Sequence, residues 1–205
     1  MPNNSRETEA KFYVQNLDRI GAYLRDEDAR LIQARVLERN IRFDRPDASL
    51  RAARGVLRLR YDTEARLTYK GGNENTGGVL SREEIEFIVE DFEKAKKFLG
   101  ALGYQQIFYY EKYRTTYELD KVLIMLDELP YGNFVEIEGE TEETIRAISR
   151  KLKLNWDATI EKSYSALFEG VRKTLNLPFQ DLSFANFKGI KIEPIHLGVQ
   201  AVDQQ

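Results

Sequence analysis

Hydrophobic and polar residues alternate one for one along stretch after stretch of this chain. Such alternation sets one face of an extended segment against a core and predicts β-strands. Eight segments read as strands, most of them by this alternation: 6–14, 32–44, 56–61, 66–70, 80–90, 104–119, 121–129 and 134–139. Residues 62–65 and 130–133 read as turns, and the strands 104–119 and 121–129 meet at Asp120. A helical period appears at 17–24, where Leu17, Ile20 and Leu24 share a face behind the capping residue Asn16. It returns at 91–103 with a stripe of Phe92, Ala95, Phe98, Leu99 and Leu102, and again at 141–152 and 163–175. Residues 45–53 form a loop built on Pro46 and Asp47, and 71–78 form a loop rich in Gly and Asn. Eight strands, four helices and antiparallel connections predict an α+β barrel or strongly curved sheet.

The polar faces of these strands are unusually consistent. Glu7, Glu9 and Lys11 share a face opposite Thr8, Ala10 and Phe12. Arg58 and Arg60 oppose Leu57, Leu59 and Tyr61; Arg82, Glu84 and Glu86 oppose Ile85 and Phe87. Lys112 and Arg114 oppose Tyr113 and Thr115, and Glu136 and Glu138 oppose Val135 and Ile137. Two arrangements satisfy this pattern. In one, helices cover the apolar face and the charges meet water, the usual case for a half-buried sheet. In the other, the sheet curls with its charges inward and its apolar rows outward under helices. Inward charges must then be paired, because an uncompensated buried ion costs several kcal/mol. Such an interior suits a polyanion with divalent cations: Arg and Lys grip phosphates, and carboxylates hold Mg²⁺ or Mn²⁺.

Composition narrows the chemistry. The chain has 205 residues, 42% hydrophobic and 32% charged, as expected of an ordered globular protein. Its 31 Lys and Arg against 34 Asp and Glu give a net charge of −3, so no global positive field attracts nucleic acid or an anionic membrane. With no Cys and a single His, His196, disulfides, thiolate metal sites and most His-based acid–base schemes are excluded. No apolar run reaches the roughly 18 residues of a membrane span, which leads to an expected cytoplasmic location. An enzyme made from this sequence runs on carboxylates, Lys, Arg and Tyr. Several residues invite a chemical reading and fit a structural one better. His196 and Trp156 are expected to pack or be solvated, and Tyr109, Tyr110, Tyr113 and Tyr117 to pack rather than stack on bases. Gly71-Gly72 and Gly77-Gly78 lack the Gly-Lys-Ser/Thr ending of a phosphate loop. Phe179, Leu182, Phe184 and Phe187 are too apolar for a free linker and are expected to dock on the barrel or on a second copy in a homodimer.

The stretch Glu7-Thr8-Glu9-Ala10-Lys11 resembles the ExExK signature of the CYTH family, the triphosphate tunnel metalloenzymes. Further segments resemble that family's motifs in the same order: Leu57-Arg58-Leu59-Arg60, Leu67-Thr68-Tyr69-Lys70-Gly71, Arg82-Glu83-Glu84-Ile85-Glu86, Lys112-Tyr113-Arg114 and Phe134-Val135-Glu136-Ile137-Glu138. Lys162-Ser163-Tyr164-Ser165 is similar to a helix start in its class IV adenylyl cyclase branch. One departure stands at Asn40-Ile41-Arg42-Phe43-Asp44, where cyclase-like members often carry Asp-x-Tyr-Phe-Asp.

The resemblance covers about residues 5–174 and implies an eight-stranded antiparallel tunnel with helices outside, followed by a C-terminal extension over 175–205. It implies that Lys11, Arg58, Arg60, Lys70, Lys112 and Arg114 contact a triphosphate. Glu7, Glu9, Glu136 and Glu138 would bind Mg²⁺ or Mn²⁺, with Glu84, Glu86 and Asp127 as further carboxylates, and Lys11 and Glu9 as catalytic residues. The face pattern agrees with each of these positions except Lys70, whose predicted strand is too short to define a face. The implied activity is that of a class IV adenylyl cyclase, converting ATP to cyclic AMP and pyrophosphate. The alternative is a triphosphatase acting on inorganic triphosphate, thiamine triphosphate or a nucleotide. A non-catalytic polyphosphate-binding module is a third reading, disfavoured because anion capture alone needs no such acidic set.

Overall fold

The computed structural model describes residues 6–76 and 79–203, with side chains for 8–72 and 83–203. Eight strands form one closed antiparallel barrel: β1 (Arg6–Val14), β2 (Arg30–Asp44), β3 (Val56–Tyr61), β4 (Ala65–Thr76), β5 (Val79–Val89), β6 (Gln105–Leu119), β7 (Val122–Leu129) and β8 (Gly132–Glu138). The order around the ring is β1-β5-β4-β3-β2-β6-β7-β8, and β8 returns to β1. The helices α1 (Leu17–Asp26), α3 (Phe92–Ala101), α4 (Glu142–Lys151) and α5 (Tyr164–Thr174) follow the expected segments; α2 (Ser49–Ala52) and α6 (Pro194–Leu197) are single turns.

Local chemistry explains these boundaries. The Asn16 side chain accepts from Arg19 N at 3.1 Å and starts α1, and Asp91 does the same for α3 through Lys94 N. Asp120 and Lys121 both hold φ near +60°, the backbone of a tight two-residue hairpin turn. Asp44 accepts from Leu50 N and Arg51 N, which folds the segment after β2 into α2. At Gly132, a Cβ would lie 2.7 Å from Tyr13 Cε2, so the start of β8 admits only glycine.

The loop expected at 71–78 is instead the second half of β4. The pairing of β4 with β5 shifts between Lys70 and Asn73, so Gly71 and Gly72 serve as a bulge that lets the strand continue. Gly77 and Gly78 lie outside the described residues.

The apolar rows face outward and are mostly covered. Ile20 and Leu24 of α1, with Ile145 and Ile148 of α4, pack on Phe12, Ile124, Val135 and Ile137. Leu99 of α3 packs on Ile41, Leu57 and Leu59. On β5 the cover is partial among the described residues: Ile85 is 49% and Phe87 53% exposed. The tail docks on its own barrel. Leu182 pairs with the backbone of β6 at Tyr109 and Glu111, Phe187 packs on Tyr131, and Asp203 accepts from Gln15 N and Asn16 N. Trp156 packs edge-on against Phe12, and His196 Nδ1 accepts from Glu193 N.

Candidate active site

Pairing register fixes which side chains share the barrel interior. Lys11 lies opposite Glu136, Arg114 opposite Asp127, Glu38 opposite Lys112, Arg58 opposite Thr68 and Lys70 opposite Glu84. These are the charged faces, so the interior arrangement is the one adopted. Toward one end the same faces turn aromatic. Lys11 gives way to Tyr13, Glu136 to Phe134 and Lys112 to Tyr110, and these three join Phe168 of α5 and Leu182 and Phe187 of the tail in one apolar cluster. That cluster stoppers the end of the tunnel. The first turn of α5 lies across it: the Tyr131 hydroxyl donates to Tyr164 O at 2.9 Å, and Arg42 Nη1 donates to Ser165 Oγ at 2.6 Å.

Above the stopper lies a cavity of about 840 Å³. Its walls bring together Glu9, Lys11, Arg58, Arg60, Lys70, Glu84, Glu86, Lys112, Arg114, Glu136 and Glu138. Asp127 is fully buried behind this wall, where it accepts from Lys112 Nζ at 2.9 Å, Arg114 Nε and Nη2 at 2.6 Å, and the Tyr164 hydroxyl at 2.8 Å. The Glu7 side chain lies outside the described residues; its backbone pairs with Arg82. Lys70 now has a face, since its longer strand points it inward to Glu84 at 3.1 Å.

Nearly every cation has an anion across the strand ladder. Lys11 Nζ is 3.1 Å from Glu136 Oε1, and Arg114 Nη2 bonds the other oxygen of that carboxylate. Glu86 accepts from Arg60 at 3.1 Å, Thr68 at 2.7 Å and Arg58 at 3.4 Å. Burial alone lowers the basicity of Lys11, but Glu136 and Glu9 outweigh it and leave the ammonium more basic than usual. Burial pushes Glu136 up, and Lys11, Lys112 and Arg114 together drive it well below the carboxylate range. Lys11 and Glu136 therefore face each other as an ion pair.

Two cavity-wall positions, Glu38 and Tyr110, lie outside the motifs, and the motif residue Tyr164 reaches further than its place in the sequence shows. Glu38 is 2% exposed and sits 3.5 Å from Lys112 Nζ, 3.7 Å from Arg60 Nη1 and 3.8 Å from Arg114 Nε. Burial penalises its charge, yet these cations hold its acidity at about 2. Tyr110, expected to pack, both packs and lines the cavity. Burial raises its phenol, but Arg58 and Lys112 win and lower it. Tyr164 touches Lys11, Lys112 and Asp127 at once. The signal for Glu38 was present as the alternation Glu38, Asn40, Arg42, Asp44, but Arg39 interrupts the apolar row opposite.

Glu9 lies directly across from Glu138, with Glu136 two residues along. Like charges so opposed are unfavourable without a cation between or beside them, and an all-carboxylate oxygen set suits a hard divalent ion. Among the described residues no three acidic or His side chains already converge as a metal cage. The oxygen donors of these glutamates fit a hard divalent cation.

Comparison with known proteins agrees with this architecture. A protein of Methanocaldococcus jannaschii named "putative adenylate cyclase" is 27% identical over 172 residues, covering 78% of this chain and 97% of that protein. The structure of a Vibrio parahaemolyticus protein with the same name superposes with a TM-score of 0.73 at 19% identity, over 82% of this chain and 99% of the other. A Hippeastrum structure, described as an adenylyl cyclase candidate with a dominant triphosphatase activity, gives 0.57 at 20% identity over 95% and 100% of the two chains. The sequence model of the CYTH domain matches residues 5–163, and with the closed charged barrel this establishes that the chain belongs to the CYTH domain family.

Proposed function

We propose that this chain is a divalent-metal-dependent enzyme that acts on a triphosphate in its tunnel, and that it converts ATP to cyclic AMP and pyrophosphate. The observation that carries this reading is the single cavity in which Lys11, Arg58, Arg60, Lys70, Lys112 and Arg114 face a set of carboxylates. Charge-assisted contacts from these cations hold the phosphate chain, the two arginines of β3 presenting forks that match phosphate oxygens. Glu7, Glu9, Glu136 and Glu138 are the proposed metal ligands, with Glu84 and Glu86 in reserve on β5. Asp127 already serves four donors, so it acts here by holding Lys112 and Arg114 rather than by binding metal. Bound Mg²⁺ or Mn²⁺ would neutralise phosphate oxygens and make a hydroxyl nucleophile more acidic.

In the cyclase reaction the ribose 3′-oxygen bonds to the α-phosphorus, the bond from that phosphorus to the pyrophosphate oxygen breaks, and the hydroxyl proton passes to solvent water. On this reading Lys11, between Glu9 and Glu136, balances charge on the reacting phosphate, and Glu9 would be a ligand of the metal. The cyclase name of the Methanocaldococcus relative and the Lys162-Ser163-Tyr164-Ser165 turn at the cavity wall support this reading. A triphosphatase is the second reading, favoured by the Hippeastrum description and by a cavity wall in which charged side chains outnumber all others. The tunnel unit is taken as residues 5–174, with 175–205 an extension, in a cytoplasmic enzyme without nucleic-acid or membrane partners.

Incubation of the protein with ATP and Mg²⁺ or Mn²⁺, followed by chromatography of the products, tests the proposal. Cyclic AMP and pyrophosphate are expected. ADP and orthophosphate, or cleavage of inorganic triphosphate with no cyclic AMP, would replace the cyclase by the triphosphatase.

A further inference from the structure

Tyr164 is the first residue of α5, and its ring enters the tunnel from the stoppered end. The Lys11 ammonium lies 4.4 Å from the ring centroid and that of Lys112 lies 5.4 Å from it. Both fall within the range at which a cation is attracted to an aromatic face, and burial strengthens that attraction. The hydroxyl of the same residue donates to Asp127 Oδ2 at 2.8 Å, the oxygen that also receives Lys112 and Arg114. The ring is braced from behind by Phe134, edge to face at 5.1 Å, and its backbone by Tyr131. Ser163 caps the helix that carries it, and Ser165 ties that helix to Arg42 of β2. Burial, then Asp127 and Glu136, hold the phenol neutral, so it stays a donor.

We propose that Tyr164 is the positioning residue of the tunnel: its ring seats the Lys11 and Lys112 ammonium groups and its hydroxyl orients Asp127, so that both lysines are aimed at the phosphate chain before it arrives. The lysines are long and rotamer-rich, and fixing them in the empty protein removes an ordering cost from binding. The ring has no charge, so it adds no further anion to the Glu136 and Asp127 carboxylates already beside the lysines. A carboxylate in its position would compete with phosphate.

The inference rests on the triphosphate reading above, and its test separates the two. Binding of inorganic triphosphate is measured by calorimetry without divalent metal, so that loss of a metal site cannot imitate the effect. Wild-type protein is expected to bind; if it does not, the triphosphate reading falls and takes this inference with it. Tyr164→Leu is expected to weaken binding about tenfold and Tyr164→Phe, which keeps the ring, by less than threefold. In a Lys11→Met background, Tyr164→Leu should cost less than threefold, because residues acting through one another are not additive. Melting curves check that each variant is folded, and Tyr164→Met, closer in length to the native side chain, replaces Tyr164→Leu if that variant is not. Wild-type affinity in the ringless variant, equal losses for Phe and Leu, or a tenfold loss that persists beside Lys11→Met would each overturn the inference while leaving the triphosphate reading intact.

Discussion

Replacing Glu38 by Gln removes one negative charge and almost no volume from the centre of the tunnel. That carboxylate faces Lys112, Arg60 and Arg114 at 3.5–3.8 Å, and its Oε2 accepts no hydrogen bond, so its contribution is electrostatic. Its acidity in the fold, about 2 against an ordinary 4.5, corresponds at 1.36 kcal/mol per tenfold to about 3 kcal/mol. Because the folded value is depressed, this stabilisation is complete above pH 4.5 and fades as pH falls toward 2. Glu38→Gln should therefore melt about 6–12 °C below wild type at pH 7, at 2–4 °C per kcal/mol for a chain of this size. The gap should shrink to a small remnant near pH 2, where Glu38 is about half protonated in the fold, and close below that. Triphosphate affinity should move the other way and rise severalfold, since the cations then lack their internal anion. Differential scanning calorimetry across pH and titration with inorganic triphosphate measure both. Equal melting points at pH 7, a gap undiminished at pH 2, or weaker triphosphate binding would refute an electrostatic role for Glu38.

Inorganic triphosphate at a hundredfold excess over its Kd should add about 2.7 kcal/mol and raise the melting point by about 5–10 °C, with sulfate at equal ionic strength doing little. In Arg58→Ala/Arg60→Ala most of that shift should disappear in thermal-shift assays; an undiminished shift would place the anion elsewhere. Glu136→Gln should abolish metal-dependent turnover while leaving a triphosphate bound, as activity and calorimetry would record together, and retained turnover would remove Glu136 from the metal set. Phe187→Ala deletes a buried ring between α5 and Tyr131 and should cost about 3–5 kcal/mol in denaturant unfolding; a cost below 1 kcal/mol would mean that the tail only rests on the barrel.

Strand alternation carried most of the architecture, because a period of two is a direct record of which residues share a face. It did not say which face was inside. Arg58 and Arg60 on a solvated sheet and in a tunnel have the same sequence, and only motif order favours the tunnel. The aromatic stopper was illegible for a related reason: Tyr13, Tyr110 and Phe134 lie in rows whose other members are charged, and a row that changes character along its length looks like a break in the pattern. Gly71-Gly72 read as the start of a loop because sequence does not distinguish a bulge from a turn until the partner strand is known. For the tail, Leu182 and Phe187 show in the sequence that something covers them, while the backbone pairing of Leu182 with β6 has no sequence signal. Tyr164 was visible as a motif letter, but its reach to both lysines and Asp127 comes from the way α5 crosses the barrel end.

Closure of the ring has a consequence for how this sequence can vary. In an open sheet an inserted residue can be absorbed by sliding the outermost strand. Here β1 is held on both sides, by β5 and β8, and every other strand is likewise held by two neighbours. A slip of one position in any strand would turn its charged row toward the outer helices and its apolar row into the tunnel, and both neighbouring ladders would have to follow. Length changes are therefore expected at the connections, at 62–64, 120–121 and 130–131, or where β2 already departs from regular pairing with β6 between Leu31 and Val36. Within the strands, charge exchanges should come as cross-strand couples such as Lys11 with Glu136 or Lys70 with Glu84, since either partner reversed alone leaves two like charges facing each other inside a closed wall.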